Sequence, residues 1–112
     1  MKFLKPDDTF TQDLSDAALS HTTTIGRKFK LQEITIHFSE VVTETITITR
    51  DSKQGANYDD VLNKRSLVAE QDYVFRPEGE CDFLNGDEVK VQCTNANVTG
   101  VAYGKIKTSE LP

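Results

Sequence analysis

The chain has 112 residues, with 13 Lys and Arg against 18 Asp and Glu, and a formal net charge of −5 at pH 7. A domain of this length buries roughly two-thirds of the surface of its unfolded chain, so it can form a core without metals or disulfides. The acidic balance argues against a nucleic-acid-binding protein, and no run approaches the roughly 20 apolar residues of a membrane-spanning helix. We therefore expect no nucleic acid and no membrane among its partners.

The first part of the chain shows no sustained hydrophobic period. Its start, MKFLKPDD, lacks the apolar stretch of a secretory signal, so we expect a cytoplasmic protein. The run DLSDAAL is too short for an independent helix. We interpret residues 1–25 as an N-terminal arm, joined to a domain at residues 26–112 by the HTTT link and Gly26. The arm carries irregularly spaced apolar residues, namely Phe3, Leu4, Phe10, Leu14 and Leu19.

These five apolar residues are the candidate partner-binding residues. An isolated chain would leave them partly exposed, which soluble proteins avoid in quantity. We expect the arm to pack on a neighbour and to become ordered there. The alternative, in which the arm folds back onto its own domain, stays open.

From Arg27 onward the hydrophobic pattern has the period of two that is typical of β-strands. In RKFKLQEITIHFSE, Ile34 shares a face with Ile36 and Phe38. The preceding apolar residues have the opposite parity, which predicts a bulge near Leu31 to Glu33. Ser39-Glu40 is interpreted as a turn into the next strand.

The second strand covers about residues 41–50 and contains VTETITITR, with Ile46 and Ile48 on one face and threonines on the other. The run Asp51 to Asp60 follows as a loop. Its acids are oxygen donors of the kind that calcium prefers, but their spacing does not fit an EF-hand. A hydrated turn is the simpler interpretation.

The rest of the chain predicts several short strands. The apolar pairs 61–62 and 67–68 indicate a short strand and a connection, and residues 73–75 form another strand that ends before Pro77. Asn85-Gly86 predicts a type I′ hairpin turn between residues 81–84 and 88–93. In the last strand, residues 98–108, the small residues Gly100, Ala102 and Gly104 indicate close approach of a neighbour.

These elements predict an all-β protein with an antiparallel β-sandwich or jelly-roll-like fold, in which helix is confined to a turn or two. The core residues we expect are Ile34, Ile36, Phe38, Ile46, Ile48, Leu62, Phe75, Val89 and Val91.

No residues indicate catalysis or a cofactor. The hairpin register separates Cys81 from Cys93 by on the order of 10 Å, too far for a disulfide, so both are expected to be free buried thiols. His37 is interpreted as a surface residue, because a zinc site needs three or four converging ligands. We therefore expect a protein that is not an enzyme, with no metal site.

Four segments together resemble a known group of proteins. GRKFKLQEITIHFSE, ITITRDSKQGANYDDVL, FRPEGE and GDEVKVQCTNANVTGVAYGKI are similar to segments of small phage virion accessory proteins. The likeness covers about residues 26–108, and its motifs are mostly turns and strand starts.

The resemblance implies a structural virion protein, most often a capsid decoration (cement) protein that stabilises the capsid. The implied partners are the major capsid protein and further copies of the chain, for example as a trimer, on the capsid surface of a virion assembled in the host cytoplasm. A carbohydrate-binding or adhesin-like β-sandwich is the alternative. Such proteins usually stack sugars on exposed aromatic side chains, and the composition counts against this alternative because the chain has three Tyr and no Trp.

Overall fold

The computed structural model describes residues 7–15, 17–24, 26–79, 81–94 and 99–110. These residues form seven strands and one short 3-10 turn at Ala56–Tyr58. The strands are β1 (Asp7–Asp13), β2 (Ser20–Thr24), β3 (Phe29–Asp51), β4 (Asp60–Phe75), β5 (Asp82–Phe83), β6 (Glu88–Cys93) and β7 (Val101–Glu110).

The strands belong to one antiparallel sheet that is nearly closed and barrel-like. Its order is β1-β7-β3-β6-β2, and both β4 and β5 pair with β3. The all-β, antiparallel prediction is confirmed. The finer assignment as a sandwich or jelly roll is not established, because the strands form a single connected sheet. None of the described residues forms a helix long and apolar enough to cross a membrane.

Strand β3 runs through the whole sheet, so the predicted turn at Ser39-Glu40 is wrong. Its first part pairs with β7 as far as Phe38, and its last part pairs with β6 from Ile46 onward. Between them the register against β4 shifts, which is typical of a bulged and bent strand. The inward side chains keep even positions on both sides of the bend, so no turn is needed to bury them.

The bend divides the sheet into two halves. The first half-sheet contains β1, β7, residues 29–38 of β3 and residues 70–75 of β4. The second half-sheet contains β2, β6, residues 44–51 of β3 and residues 60–67 of β4. One hydrophobic cluster takes residues from both halves, which places the core between them.

The predicted bulge near Leu31 to Glu33 is confirmed. The register of β3 against β7 shifts between these two residues. The shift brings Phe29 and Leu31 to the inner side with Ile34, and all three are buried. A single extra residue thus reconciles the two parities in the sequence.

Strand β4 is also one continuous strand, where the sequence predicted a short strand, a connection and a second strand. An irregularity interrupts it at Ala69, which has φ 50°. The Ala69 N–H donates to Thr43 Oγ1 at 3.0 Å, and the Val68 N–H donates to the Glu70 carboxylate at 3.2 Å. These bonds hold β4 in its bend beside the bend of β3.

The core agrees closely with the predicted residues. Seven of the nine are buried, and Leu62 and Phe75 are half-buried against the same cluster. The seven are Ile34, Ile36, Phe38, Ile46, Ile48, Val89 and Val91.

The arm prediction needs correction, because residues 7–13 and 20–24 are strands of the sheet. Strand β1 pairs with β7 and strand β2 pairs with β6. Between them, Leu14 and Leu19 are each 1% exposed and belong to the core. Edge strands with one half-buried face need few apolar residues, so they left little periodicity in the sequence. The described residues therefore do not divide into an arm at 1–25 and a separate domain.

Phe10 explains one of the small residues in β7. An added Cβ at Gly104 would lie 2.1 Å from Phe10 Cζ, so the ring of Phe10 occupies the space of a missing side chain. The prediction of a close approach at this strand is confirmed. The approaching group is a side chain from β1.

Side chains join β1 to β2, which do not pair with each other in the described sheet. Gln12 Nε2 donates to the Ala18 carbonyl at 2.9 Å, and the Ser20 N–H donates to Gln12 Oε1 at 3.0 Å. The ring of His21 stacks on Phe10 with centroids 3.9 Å apart and hydrogen bonds to Asp8 at 2.8 Å. These contacts close the side of the barrel opposite β4.

The predicted type I′ hairpin at Asn85-Gly86 is wrong in two respects. Strand β5 pairs with β3, and β6 pairs with β2 and β3. The turn itself exists, because the Asp87 N–H donates to the Leu84 carbonyl at 3.0 Å. Only Gly86 has positive φ, at 96°, which is the pattern of a type II turn.

Replacing Ile46 by Ala should lower the free energy of unfolding by about 2–5 kcal/mol, because the side chain is fully buried where both half-sheets meet. Denaturant unfolding of the purified chain measures this. The control is Val68→Ala, since Val68 is 70% exposed. A loss below about 1 kcal/mol at Ile46 would contradict the burial of this face.

Replacing Gly104 by Ala should destabilise the protein by about 1–3 kcal/mol, because the new methyl group overlaps the Phe10 ring. Gly26→Ala is the control, since an added Cβ there meets nothing within 4 Å. In a Phe10→Ala background the cost of Gly104→Ala should largely disappear. An unchanged cost in that background would show that the ring does not lie on Gly104.

Candidate functional site

A groove lies on the open side of the barrel, between residues 62–63 near the start of β4 and residues 74–78 at its end. Its volume is about 590 Å³, a size typical of ligand sites, and β4 and the residues before β5 line it. Its apolar residues are Leu62, Val74, Phe75, Pro77 and Cys81, and its polar residues are Arg50, Asn63, Arg76, Glu78 and Asp82.

Arg50 at this groove is held by other groups of the protein. Its Nε and Nη2 donate to the two carboxylate oxygens of Asp60 at 2.7 and 2.9 Å, and its Nη1 donates to the Asp82 carbonyl at 2.7 Å. The guanidinium lies 5.2 Å from the centre of the Phe83 ring. The Asp60 carboxylate raises the pKa of Arg50. This arginine therefore ties β3 to β4 and β5.

Two further side-chain contacts join the two halves of β4. Tyr73 Oη donates to Asn63 Oδ1 at 2.6 Å, and Arg65 forms an ion pair with Glu70 at 2.8 Å. Burial raises the pKa of Tyr73 well above its usual range. These polar groups hold the bent strand together, so they do not converge on a point where a reacting atom could sit.

Both cysteines are free, as predicted, and both are half-buried. Burial raises the pKa of Cys93 to about 12 and also raises the pKa of Cys81. The thiolate is the reactive form of cysteine, so neither thiol is a nucleophile near neutral pH.

The acids of the loop between β3 and β4 are engaged within the protein. Asp51 forms an ion pair with Lys90 at 2.8 Å, which lowers the pKa of Asp51. The Ser52 N–H donates to Asp59 Oδ1 at 2.6 Å, and Asp60 holds Arg50. Within the described ranges no group of three or more His, Cys, Asp and Glu is placed to hold a metal ion.

A second surface lies on the outer side of the first half-sheet. His37 of β3 stands opposite Tyr103 of β7 and opposite Asp72 of β4, and its Nδ1 lies 2.8 Å from Asp72 Oδ1. The next row places Thr35 between Lys105 and Val74. A groove of about 420 Å³ runs between the rows. We call these six residues the Tyr103 face.

Exposed apolar side chains mark the Tyr103 face and the strand beside it. Tyr103 is 50% exposed and Val74 is 47% exposed. Strand β4 also carries Val61 at 59% and Val68 at 70%. The remaining large apolar residues exposed in the described chain are Val41, Tyr58 and Leu84.

The structure does not bring the sequence-predicted partner-binding residues to a common surface. Leu14 and Leu19 are buried in the core, and Phe10 is half-buried between His21 and Gly104. Phe3 and Leu4 lie outside the described residues, so their role stays a prediction. Tyr103 was missed as a site residue, although its position between Ala102 and Gly104 shows that it points outward.

Comparisons with known proteins reveal a likeness of fold. No family model matches the chain, and no curated protein matches it. The Drosophila NLP-core, whose structure addresses pentamer formation and histone binding, aligns with TM-score 0.52 and 11% identity over 95% of this chain and 100% of its own. PirA aligns with TM-score 0.51 and 11% identity over 96% of this chain and 97% of its own.

A third alignment is weaker. The SPBc2 prophage-derived protein YomS aligns with TM-score 0.44 and 13% identity over 97% of this chain and 100% of its own. A likeness at this level establishes no shared function. The first two alignments show that the barrel-like fold occurs in other proteins, and they show the fold alone.

Cys93 should make the stability of the protein depend on alkaline pH. Its thiol binds a proton more tightly in the folded state than in the unfolded state, where its pKa is near 8.5. This contribution is complete below about pH 8.5 and is lost as the pH rises toward about 12. The melting temperature of Cys93→Ala should therefore fall less than that of the wild type between about pH 8 and pH 10.

The control for Cys93→Ala is Val91→Ala, which disturbs the same strand without removing a titrating group. The melting temperature of Val91→Ala should fall with rising pH as much as that of the wild type does. An equal fall in Cys93→Ala and in the wild type would contradict the raised pKa of this buried thiol.

Proposed function

We propose that the chain is a structural protein of a phage particle, a capsid decoration protein that binds and stabilises the capsid lattice through its Tyr103 face. The proposal requires no catalytic step and no cofactor. Its partner is the major capsid protein, and its place is the capsid surface of the virion. The supporting observation is the exposure of Tyr103 and Val74 on the outer surface of the first half-sheet.

The chemistry of the Tyr103 face suits protein binding. Tyr is enriched at interface hot spots, because it buries a large apolar ring and retains a hydroxyl for hydrogen bonding. Around Tyr103 lie Thr35, His37 and Lys105, which provide a polar surround. A rigid sheet loses little conformational entropy on binding, so it can contribute most of its contact energy to affinity.

The groove that both ends of β4 line supports an enzyme less well. Arg50 is bound to Asp60, Arg76 forms an ion pair with Glu33, and Asn63 accepts a bond from Tyr73. A catalytic site needs a nucleophile or base within reach of a reacting group, together with donors for developing charge. These three side chains are occupied in joining strands.

The particle assignment rests on the resemblance of residues 26–108 to phage virion accessory proteins. Self-association is compatible with the fold, because the Drosophila NLP-core, with a TM-score of 0.52, is a protein described in terms of pentamer formation. Mass spectrometry of purified particles tests the assignment directly. Many copies per particle would support it, and absence from the particles would overturn it.

Replacing Tyr103 by Ala should weaken binding to undecorated capsids by about tenfold or more, the effect of losing a tyrosine hot spot. The melting temperature should stay unchanged, because the ring is half exposed. Tyr58→Ala is the matched control, since Tyr58 is 61% exposed and lies in the loop before β4, outside the Tyr103 face. Sedimentation of the chain with capsids measures the binding.

Equal loss of binding in both tyrosine variants would contradict the assignment of the Tyr103 face. Glycan binding that depends on Tyr103, with no capsid binding by the wild type, would favour the carbohydrate-binding alternative.

A further inference from the structure

His37 and Asp72 form a polar pair on the Tyr103 face. The Nδ1 atom of His37 lies 2.8 Å from Asp72 Oδ1, and the two side chains are 55% and 74% exposed. A pair that is so accessible to water contributes little to stability. Its energetic importance changes when water is removed from it.

A partner that covers Tyr103 also covers this pair. Tyr103 of β7 and Asp72 of β4 stand on the two sides of His37, and all three line the same groove. Directly opposed side chains of neighbouring strands begin only about 5 Å apart, which is small beside the width of a protein interface. The Tyr103 ring therefore cannot be buried against a partner while His37 and Asp72 keep all of their water.

The loss of water affects the two protonation states of His37 differently. A carboxylate that is removed from water is strongly disfavoured unless a positive charge lies beside it. A neutral imidazole can donate one N–H bond to Asp72 but leaves its negative charge in place. An imidazolium donates the same bond and also cancels the charge. The covered pair therefore favours the protonated form of His37.

The other groups that face His37 do not reverse this preference. Strand β7 contributes the phenol of Tyr103 directly opposite and Lys105 in the next row, while Thr35 beside it on β3 is uncharged. Lys105 disfavours a second cation, but a diagonal neighbour of this kind lies about 7–8 Å away, whereas Asp72 is in direct contact. Because the interaction between charges falls with distance, the attraction to Asp72 is the larger of the two.

We propose that protonation of His37 regulates binding through the Tyr103 face, so that the complex forms with uptake of a proton and tightens as the pH falls. This inference rests on the proposed binding of the face to the capsid. An unperturbed histidine titrates near pH 6.5, so the effect falls between neutral and mildly acidic surroundings. Uptake of one proton tightens binding by at most about tenfold per pH unit.

Sedimentation of the full chain with undecorated capsids at about pH 6 and about pH 8 tests the proposal. The dissociation constant of the wild type should be about fivefold lower at the lower pH. His37→Asn should remove this difference, because its amide keeps an N–H donor near the position of Nδ1 but takes up no proton. The same capsids are used for both chains, so the difference between them isolates His37.

Asp72→Asn should reverse the pH dependence. Covering the face then removes water from an imidazolium that has lost its carboxylate and still has Lys105 in the next row, so binding should weaken as the pH falls. The matched control is Asp82→Asn, which changes an exposed acid outside the Tyr103 face and should keep the pH dependence of the wild type. All three substituted side chains are exposed, so unchanged melting temperatures verify that the variants are folded.

The outcomes separate this inference from the proposed function. Wild-type binding that depends on Tyr103 but not on pH would overturn the inference and leave the proposed function in place. An equal pH dependence in His37→Asn and the wild type would also overturn the inference, since the proton would then bind elsewhere. A wild type that binds capsids at neither pH would overturn both.

Discussion

The long strand β3 determines the position of every other strand. It pairs directly with β4, β5, β6 and β7, while β1 and β2 attach to it through β7 and β6. Its buried side chains from Ile34 to Ile48 contribute to one core on both sides of the bend. Because one strand is shared by both half-sheets, the halves cannot shift relative to each other without breaking its hydrogen bonds.

The bend of β3 depends on contacts that are remote in sequence. Gln71 Nε2 donates to the carbonyls of Phe38 and Ser39, both at 3.3 Å, just where β3 changes its partner from β7 to β6. The Ala69 N–H reaches Thr43 nearby. A polar pair such as Ser39-Glu40 is ordinarily a turn signal. Here the contacts from β4 stabilise an extended backbone at these two residues. Local pattern alone could not reveal this.

Local periodicity predicted much of the fold. The inner face of β3, the bulge at Leu31 and the loop after Asp51 all follow from parity and turn composition. The interpretation of residues 7–13 and 20–24 as part of an arm was wrong, because a half-buried edge strand such as β1 has too few apolar residues to show a period. Leu14 and Leu19 gave no sign of the core that they would enter.

The candidate site could be predicted only in part. The sequence places His37 on an outer face, but it does not show that Tyr103 stands beside it. That neighbourhood depends on the register between β3 and β7, which the Leu31 bulge shifts by one residue. The sequence also did not reveal that β4 is one long strand, because its two halves were interpreted as separate short strands.

The pairing of β1 has a consequence for the order in which the protein folds. Asp7 stands opposite Lys107 and Asp13 stands opposite Val101, so the earliest described strand pairs with the last. A chain emerging from the ribosome can form the β3–β4 ladder while β1 still lacks its partner. Contacts of such long sequence separation fold slowly, because a large loop must close before they form. Phe10, which packs on Gly104 of β7, therefore lacks that contact until β7 has been synthesised.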